Sequence, residues 1–163
     1  MSSNQHNLPN PFNAEIDGDV RVAIISAEWN GHITSALTDG CVETLKKHGL
    51  SDDLIDVFHV PGAVELTFGA SAAIESGAFD VIIVFGCVIR GGTPHFDYVC
   101  QSVTQGITSL NAECDIPVIF GVLTVDTEEQ AIERIGGIHG HKGIEAAETA
   151  LKMHQFAQQI RDL

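Results

Sequence analysis

Positive charge is scarce in this 163-residue chain, where eight Lys and Arg stand against 22 Asp and Glu for a formal net charge of −14. That balance excludes a basic face able to neutralise the phosphates of a nucleic acid. It equally excludes electrostatic attachment to an anionic membrane surface. Cysteine is limited to Cys41, Cys87, Cys100 and Cys114, widely spaced and without a CxxC pair. They read as small hydrophobes in a reducing compartment. No apolar run reaches the ~18 residues of a membrane-spanning helix, and no basic segment followed by an apolar one opens the chain. The expectation is a soluble cytoplasmic protein. Internal repeats and low-complexity tracts are lacking too.

What is present is enough apolar residue, 44%, for a core in a chain of one-domain length. Residues 1–19 are polar, contain two prolines and no basic side chain, and read as an arm preceding a domain over 20–163. Its "LPNPF" favours an extended form that could dock on a neighbour. From there the period switches regularly. Short apolar runs predict strands at 21–26, 56–60, 80–89 and 116–124, the third being the most apolar and so central. Helical spacing predicts helices at 32–48, 62–77, 94–113, 127–135 and 142–160, the last two separated by the glycine-rich "GGIHGHKG". Near-continuous apolar strands alternating with helices predict a four-stranded parallel sheet covered on both faces, a three-layer α/β/α sandwich. In such folds ligands bind beyond the carboxyl ends of the strands.

Chemistry concentrates where strands end. "VIRGGTPHF" (88–96) closes the central strand. Gly91 and Gly92 let the backbone approach a ligand, Thr93 suits a helix N-cap, and Pro94 suits the first helical position. Free N–H groups, a hydroxyl and a positive helix end make an anion site; the alternative is an ordinary strand-to-helix turn. His95, in the first turn, is either a proton-transfer group beside that site or a surface residue. Arg134 and Lys142 flank "IGGIHGH", one suited to gripping a phosphate in a bidentate way and the other a point charge; otherwise both are solvated surface charges. His139 and His141 lack a third ligand, so no metal site is expected. "SAEWN" (26–30) places the only tryptophan, Trp29, beside Asn30 at the first strand's end. Its ring either stacks on a planar heterocycle or packs on a neighbouring helix. "PGAVE" (61–65) puts Glu65 just after the second strand, to serve the helix dipole or to hold ligand hydroxyls.

Together "PGAVE", "GCVIRGGTPHFDYV", "PVIFGVLT", "EQAIERIGG" and "GHKGIEAA" resemble, in order and spacing, the motifs of the 6,7-dimethyl-8-ribityllumazine synthases, over residues 20–158. The resemblance implies a flavodoxin-like fold. It also implies condensation of 5-amino-6-(D-ribitylamino)uracil with 3,4-dihydroxy-2-butanone 4-phosphate, losing phosphate and water, with no cofactor. By position, Trp29 matches the residue stacking on the pyrimidine, where phenylalanine is commoner, and Asn30 lies beside it. Ala63, Val64 and Glu65 match the ribityl-binding motif, and Val88 and Ile89 the backbone contacts to the pyrimidine. Gly92, Thr93 and Arg134 match the phosphate site, and His95 the proton-transfer residue. Phe120 and Lys142 match positions supplied by a neighbouring subunit, and Glu145 an acidic residue paired near the site.

The resemblance further implies a homo-oligomer with its site at a subunit interface, built as pentamers, pentamer pairs or sixty-subunit icosahedral shells. The short "GGIHGHKG" bend favours the shell. Rival readings are a flavin- or lumazine-binding homologue without synthase activity, and a shell protein; the joint presence of His95, Arg134 and Lys142 speaks against both. A flavodoxin-type electron carrier would need a phosphate loop after the first strand, where "SAEWNGH" stands instead.

Overall fold

A computed structural model describes residues 10–13, 16 and 19–163. Four strands form one all-parallel sheet: β1 (Val22–Ala27), β2 (Ile55–Val60), β3 (Val81–Ile89) and β4 (Val118–Val125), in spatial order β2-β1-β3-β4. Among the described residues the α-helices are α1 (Gly31–Lys47), α2 (Leu66–Glu75), α3 (His95–Glu113), α4 (Glu128–Ile132) and α5 (Lys142–Arg161). The period of two along each strand sorts its side chains into two cores. Val22 and Ile24 of β1 join Ile83 and Phe85 of β3 under α1 and α5. Ala23 and Ile25 join Ile82 and Val84 under α2 and α3. The sheet is thus buried on both faces at β1 and β3, as the alternating apolar runs predict, whereas the edge strand β2 stays half-exposed, and β3 lies inside the sheet.

Helix boundaries depart from the periodic reading where backbone groups are committed elsewhere. The second helix starts at Leu66, not at 62. The carbonyls of Val60 and Pro61 accept hydrogen bonds from Glu28 and Trp29, 2.8 and 3.2 Å away. They are therefore lost to a helix that would begin at Gly62. β4 starts at Val118, whose N–H and C=O are both bonded by the Asn111 side chain, at 2.9 and 2.8 Å. The bend after α4 is a small antiparallel hairpin, β5 (Ile135–Gly137) with β6 (Gly140–His141), turned by Gly136 and Gly140 at φ 115° and 74°. Strands this short carry no readable period.

Leu8 and Pro9 of "LPNPF" lie outside the described residues. Phe12, however, is buried in the α1/α5 core of its own chain, edge-on to His48 with ring centroids 5.3 Å apart. Lys152 donates to the Asn10 carbonyl, fastening the same segment to α5.

α1 and α5 touch through glycines. A Cβ on Gly143 would overlap the Leu37 carbonyl of α1, and one on Gly40 would overlap the His141 ring. Backbone cannot yield as a flexible side chain can, so Gly143→Ala should destabilise the fold by about 2 kcal/mol, read as a lowered denaturant midpoint with unchanged slope. A second expectation concerns His154 on α5, buried with Nε2 unpartnered. Burial pushes its pKa below the ordinary value, against a weaker upward pull from Asp80 and with some help from Arg161. The unfolded chain then binds more protons than the folded one, so stability falls as pH drops through about 6.5, the free-histidine value. His154→Gln should flatten that fall, measured as melting temperature between neutral and mildly acidic pH; an unchanged slope would contradict it.

Candidate active site

The strand order places a switch point between β1 and β3: the chain leaves β1 for β2 on one side and returns to β3 on the other. Crevices open at such points, beyond the carboxyl ends of the strands. Here the opening is widened because β1 pairs with β3 only as far as Ser26↔Phe85, while β3 continues to Ile89 alongside β4. The Arg90 N–H turns toward β4, donating to the Val125 carbonyl at 2.9 Å. The Cys87 carbonyl turns the other way and accepts from Asn30 Nδ2 at 2.8 Å. Strand alternation therefore turns the peptide groups of Ile89 toward the opening as well.

Both walls of this opening carry residues singled out above. Asn30 sits in the left-handed region, φ 57° and ψ 44°, a conformation asparagine tolerates, and its side-chain bond ties the β1–α1 turn to β3. Trp29 is 73% exposed. No described helix of its own chain covers the ring. A Cβ on Gly62 would lie 3.3 Å from Trp29 Cδ1 and 3.1 Å from Glu65 Oε2. The indole and the carboxylate thus meet over a residue without a side chain. Ala63 beneath them is buried, Val64 is partly exposed, and Glu65 occupies the N-cap position of α2.

Across the opening, Gly91, Gly92, Thr93 and His95 are exposed, and a Cβ on either glycine would meet nothing within 4 Å. Pro94 already has helical angles, φ −62° and ψ −6°, and Thr93 Oγ1 accepts from the His95 N–H at 3.4 Å. The cap thus falls one residue from the expected place, within the usual latitude of helix ends. The loop presents a hydroxyl and unhindered backbone at the positive end of a 19-residue helix.

Arg90, the cation in the middle of this stretch, is not available to an anion. Its Nε donates to Asp126 Oδ1 at 2.7 Å, its Nη1 to Asp97 Oδ1 at 3.2 Å, and its guanidinium lies 4.1 Å from the Phe96 ring centroid. The Asp126 carboxylate, and after it Asp97, raises the guanidinium pKa above its ordinary value. Sequence reading misses this triad because Asp126 is 36 residues away; only Asp97, seven residues from Arg90, hints at it.

The remaining candidates lie elsewhere. Phe120, partly exposed on the edge strand β4, lines a groove of about 630 Å³ together with Arg134, Lys142, Glu145 and Thr149, and no residue of the opening lines it. The β5–β6 hairpin brings its two cations side by side, Lys142 N–H donating to the Arg134 carbonyl at 2.8 Å. Lys142 Nζ is held by both oxygens of Glu145, at 2.8 and 2.7 Å. Among its bonds, Arg134 Nη1 donates to the Gln130 carbonyl at 2.6 Å.

His139 faces Glu133 at 3.6 Å, and His141 accepts from the Gly143 N–H to cap α5. Among the described residues no group of three or more His, Cys, Asp or Glu converges to hold an ion. Cys41 and Cys87 are buried, and burial pushes the Cys87 thiol up to about 11. Cys100 and Cys114 are half-buried. No described helix is long and apolar enough to cross a membrane.

Residues 19–158 match the profile of the 6,7-dimethyl-8-ribityllumazine synthase family. A relative of that name from Phocaeicola vulgatus is 50% identical over 99% of this chain and 97% of its own. Another from Porphyromonas gingivalis is 57% identical over 83% of this chain and 84% of its own. One from Bacteroides fragilis is 56% identical over 84% and 96%. With profile and relatives spanning both the opening and the groove, this chain belongs to the 6,7-dimethyl-8-ribityllumazine synthase family.

Proposed function

We propose that the chain condenses 5-amino-6-(D-ribitylamino)uracil with 3,4-dihydroxy-2-butanone 4-phosphate, at a site made by the opening of one copy and the β4-edge groove of the next. The observation that carries this reading is the division of the candidate residues. The aromatic ring, the carboxylate and the glycine loop border the opening, while Phe120, Arg134 and Lys142 line a separate groove. An opening whose arginine is already neutralised by two carboxylates holds an anion poorly without further cations. A second copy supplies two. The site therefore calls for a homo-oligomer, and the form that the family resemblance and the short "GGIHGHKG" bend imply is a pentamer assembled into a sixty-subunit shell.

In this arrangement Trp29 stacks on the pyrimidine, and the Ile89 peptide groups turned into the opening, next to Val88, meet its polar edge. Asn30 holds the wall of that pocket in place. Ala63, Val64 and Glu65 receive the ribityl chain, the carboxylate accepting from its hydroxyls. Gly92, Thr93 and the neighbouring Arg134 hold the phosphate. That places the ketone against the uracil amine, and fixing two reactants in one geometry removes much of the entropic barrier. The 5-amino nitrogen attacks the ketone carbon, whose oxygen leaves as water. A proton leaves the adjacent carbon as the C–O bond to phosphate breaks. The enol so formed becomes a ketone that the ribitylamino nitrogen attacks, closing the ring with loss of a second water. His95 moves the proton at the amine and the leaving oxygen. Lys142, kept in place by Glu145, stabilises negative charge developing at the carbonyl.

Orientation outweighs acid–base chemistry here, so His95→Ala should lower kcat only about ten- to a hundredfold, at the low end of general acid–base contributions. Arg134→Ala should mainly raise KM for the phosphate ketone, by about tenfold or more, the size of a lost charged hydrogen bond. Abolished turnover in a folded His95→Ala protein would reverse that ordering. The shared site is tested by co-assembling two inactive double variants, Glu65→Ala/His95→Ala and Arg134→Ala/Lys142→Ala. Random mixing leaves both halves intact at about a quarter of the interfaces of a closed ring, so about that fraction of activity should return. No recovery from mixed assemblies would place the site within one chain.

A further inference from the structure

The triad around Arg90 is the most elaborate polar cluster at the rim that the reaction does not use. It has three arms on three elements. The main chain of Arg90 is bonded to the end of β4 through Val125, its Nε to Asp126 in the loop that follows, and its Nη1 to Asp97 in the first turn of α3. The flat face of the guanidinium rests on Phe96. Between these fixed points lie Gly91 to Pro94. That segment is exposed throughout, and nothing touches where side chains on its glycines would be. Left to itself, a stretch containing two successive glycines has more conformational freedom than any other part of the rim. Ion pairs this exposed add little to global stability, so the arrangement is not explained as a fold stabiliser. The planar fork of an arginine, with stacking on an aromatic face, instead fixes direction, which a lysine cannot do.

We propose that Arg90 is a positioning residue: clamped by Asp126, Asp97 and Phe96, it holds the two ends of the Gly91–Pro94 loop at a set separation so that the Gly92 and Thr93 groups are aligned for the phosphate before it arrives. This rests on the reading that this loop binds the phosphate of the ketone substrate. Preorganisation of this kind lowers the ordering cost of binding. It acts on the phosphate substrate alone, because the Trp29–Glu65 wall is held by separate bonds to Val60 and Pro61.

The test combines steady-state kinetics with hydrogen exchange of the segment 88–96 in the assembled protein. Asp126→Asn and Arg90→Ala should each raise KM for the phosphate ketone and the inhibition constant of inorganic phosphate about tenfold, the size of a lost charge-assisted bond. KM for the pyrimidine and the assembled mass should stay unchanged, and exchange in 91–95 should quicken in the absence of ligand. Arg90→Lys should stay close to Arg90→Ala. The double variant should lose no more than the worse single one, since both remove one clamp. Unchanged phosphate constants in a folded Asp126→Asn protein would overturn the proposal, as would both KM values rising together. Should Arg90→Ala fail to assemble, Asp126→Asn alone decides. Wild-type protein with inorganic phosphate separates the two layers. Slowed exchange in 91–95 supports the loop as the phosphate site, so that unchanged constants in the variants then sink the clamp alone. No slowing overturns both together.

Discussion

Everything at the rim depends on one inequality of strand length. β3 runs on to Ile89 after its pairing with β1 has stopped at Phe85. A sheet whose central strands ended together would close the switch point with backbone hydrogen bonds. Here the Asn30 side chain bridges the gap to the Cys87 carbonyl, from a left-handed turn. That turn sends Trp29 outward, and the Trp29 and Glu28 amides capture the Pro61 and Val60 carbonyls. Their capture in turn delays α2 until Leu66 and leaves Glu65 at its start. The exposed indole, the carboxylate and the open peptide edge all border one unpaired strand end.

Charge imposes the second constraint. With so few cations in the chain, an anionic substrate must be met by charge gathered locally. Yet the arginine nearest the glycine loop is spent on two carboxylates. The other two cations of the candidate site, Arg134 and Lys142, are joined by a hairpin beside the far strand, with Lys142 itself paired to Glu145. On the proposed reading, fixed backbone geometry from one element and charge from another would serve the phosphate together. Such a division would give oligomerisation a chemical reason.

Much of the fold was legible in the residues because both sheet faces are buried. Alternate residues such as Ile24 and Ile25 feed opposite cores, and the strands read as continuous apolar runs. Glycine and proline marked the strand-to-helix turns for the same physical reason that they occur there. What stayed hidden depends on partners distant in sequence. Nothing local says that Val60 and Pro61 surrender their carbonyls to Glu28 and Trp29, that Asp126 holds Arg90, or that Ile135 to His141 pair as a hairpin. Likewise Trp29 could be placed at a strand end by spacing, but only its exposure shows that no helix of its own chain covers it. The roles of His95, Arg134 and Lys142 came from resemblance, and geometry adds to this by placing them on two separate surfaces.

The most direct measurement is the absorbance of the lumazine formed when purified protein meets both substrates, with the slow uncatalysed condensation subtracted. The account predicts a rate proportional to protein and dependent on the phosphate ketone. A rate no faster than background, from folded and assembled protein, would contradict it and leave a flavin-binding or shell-forming homologue in its place.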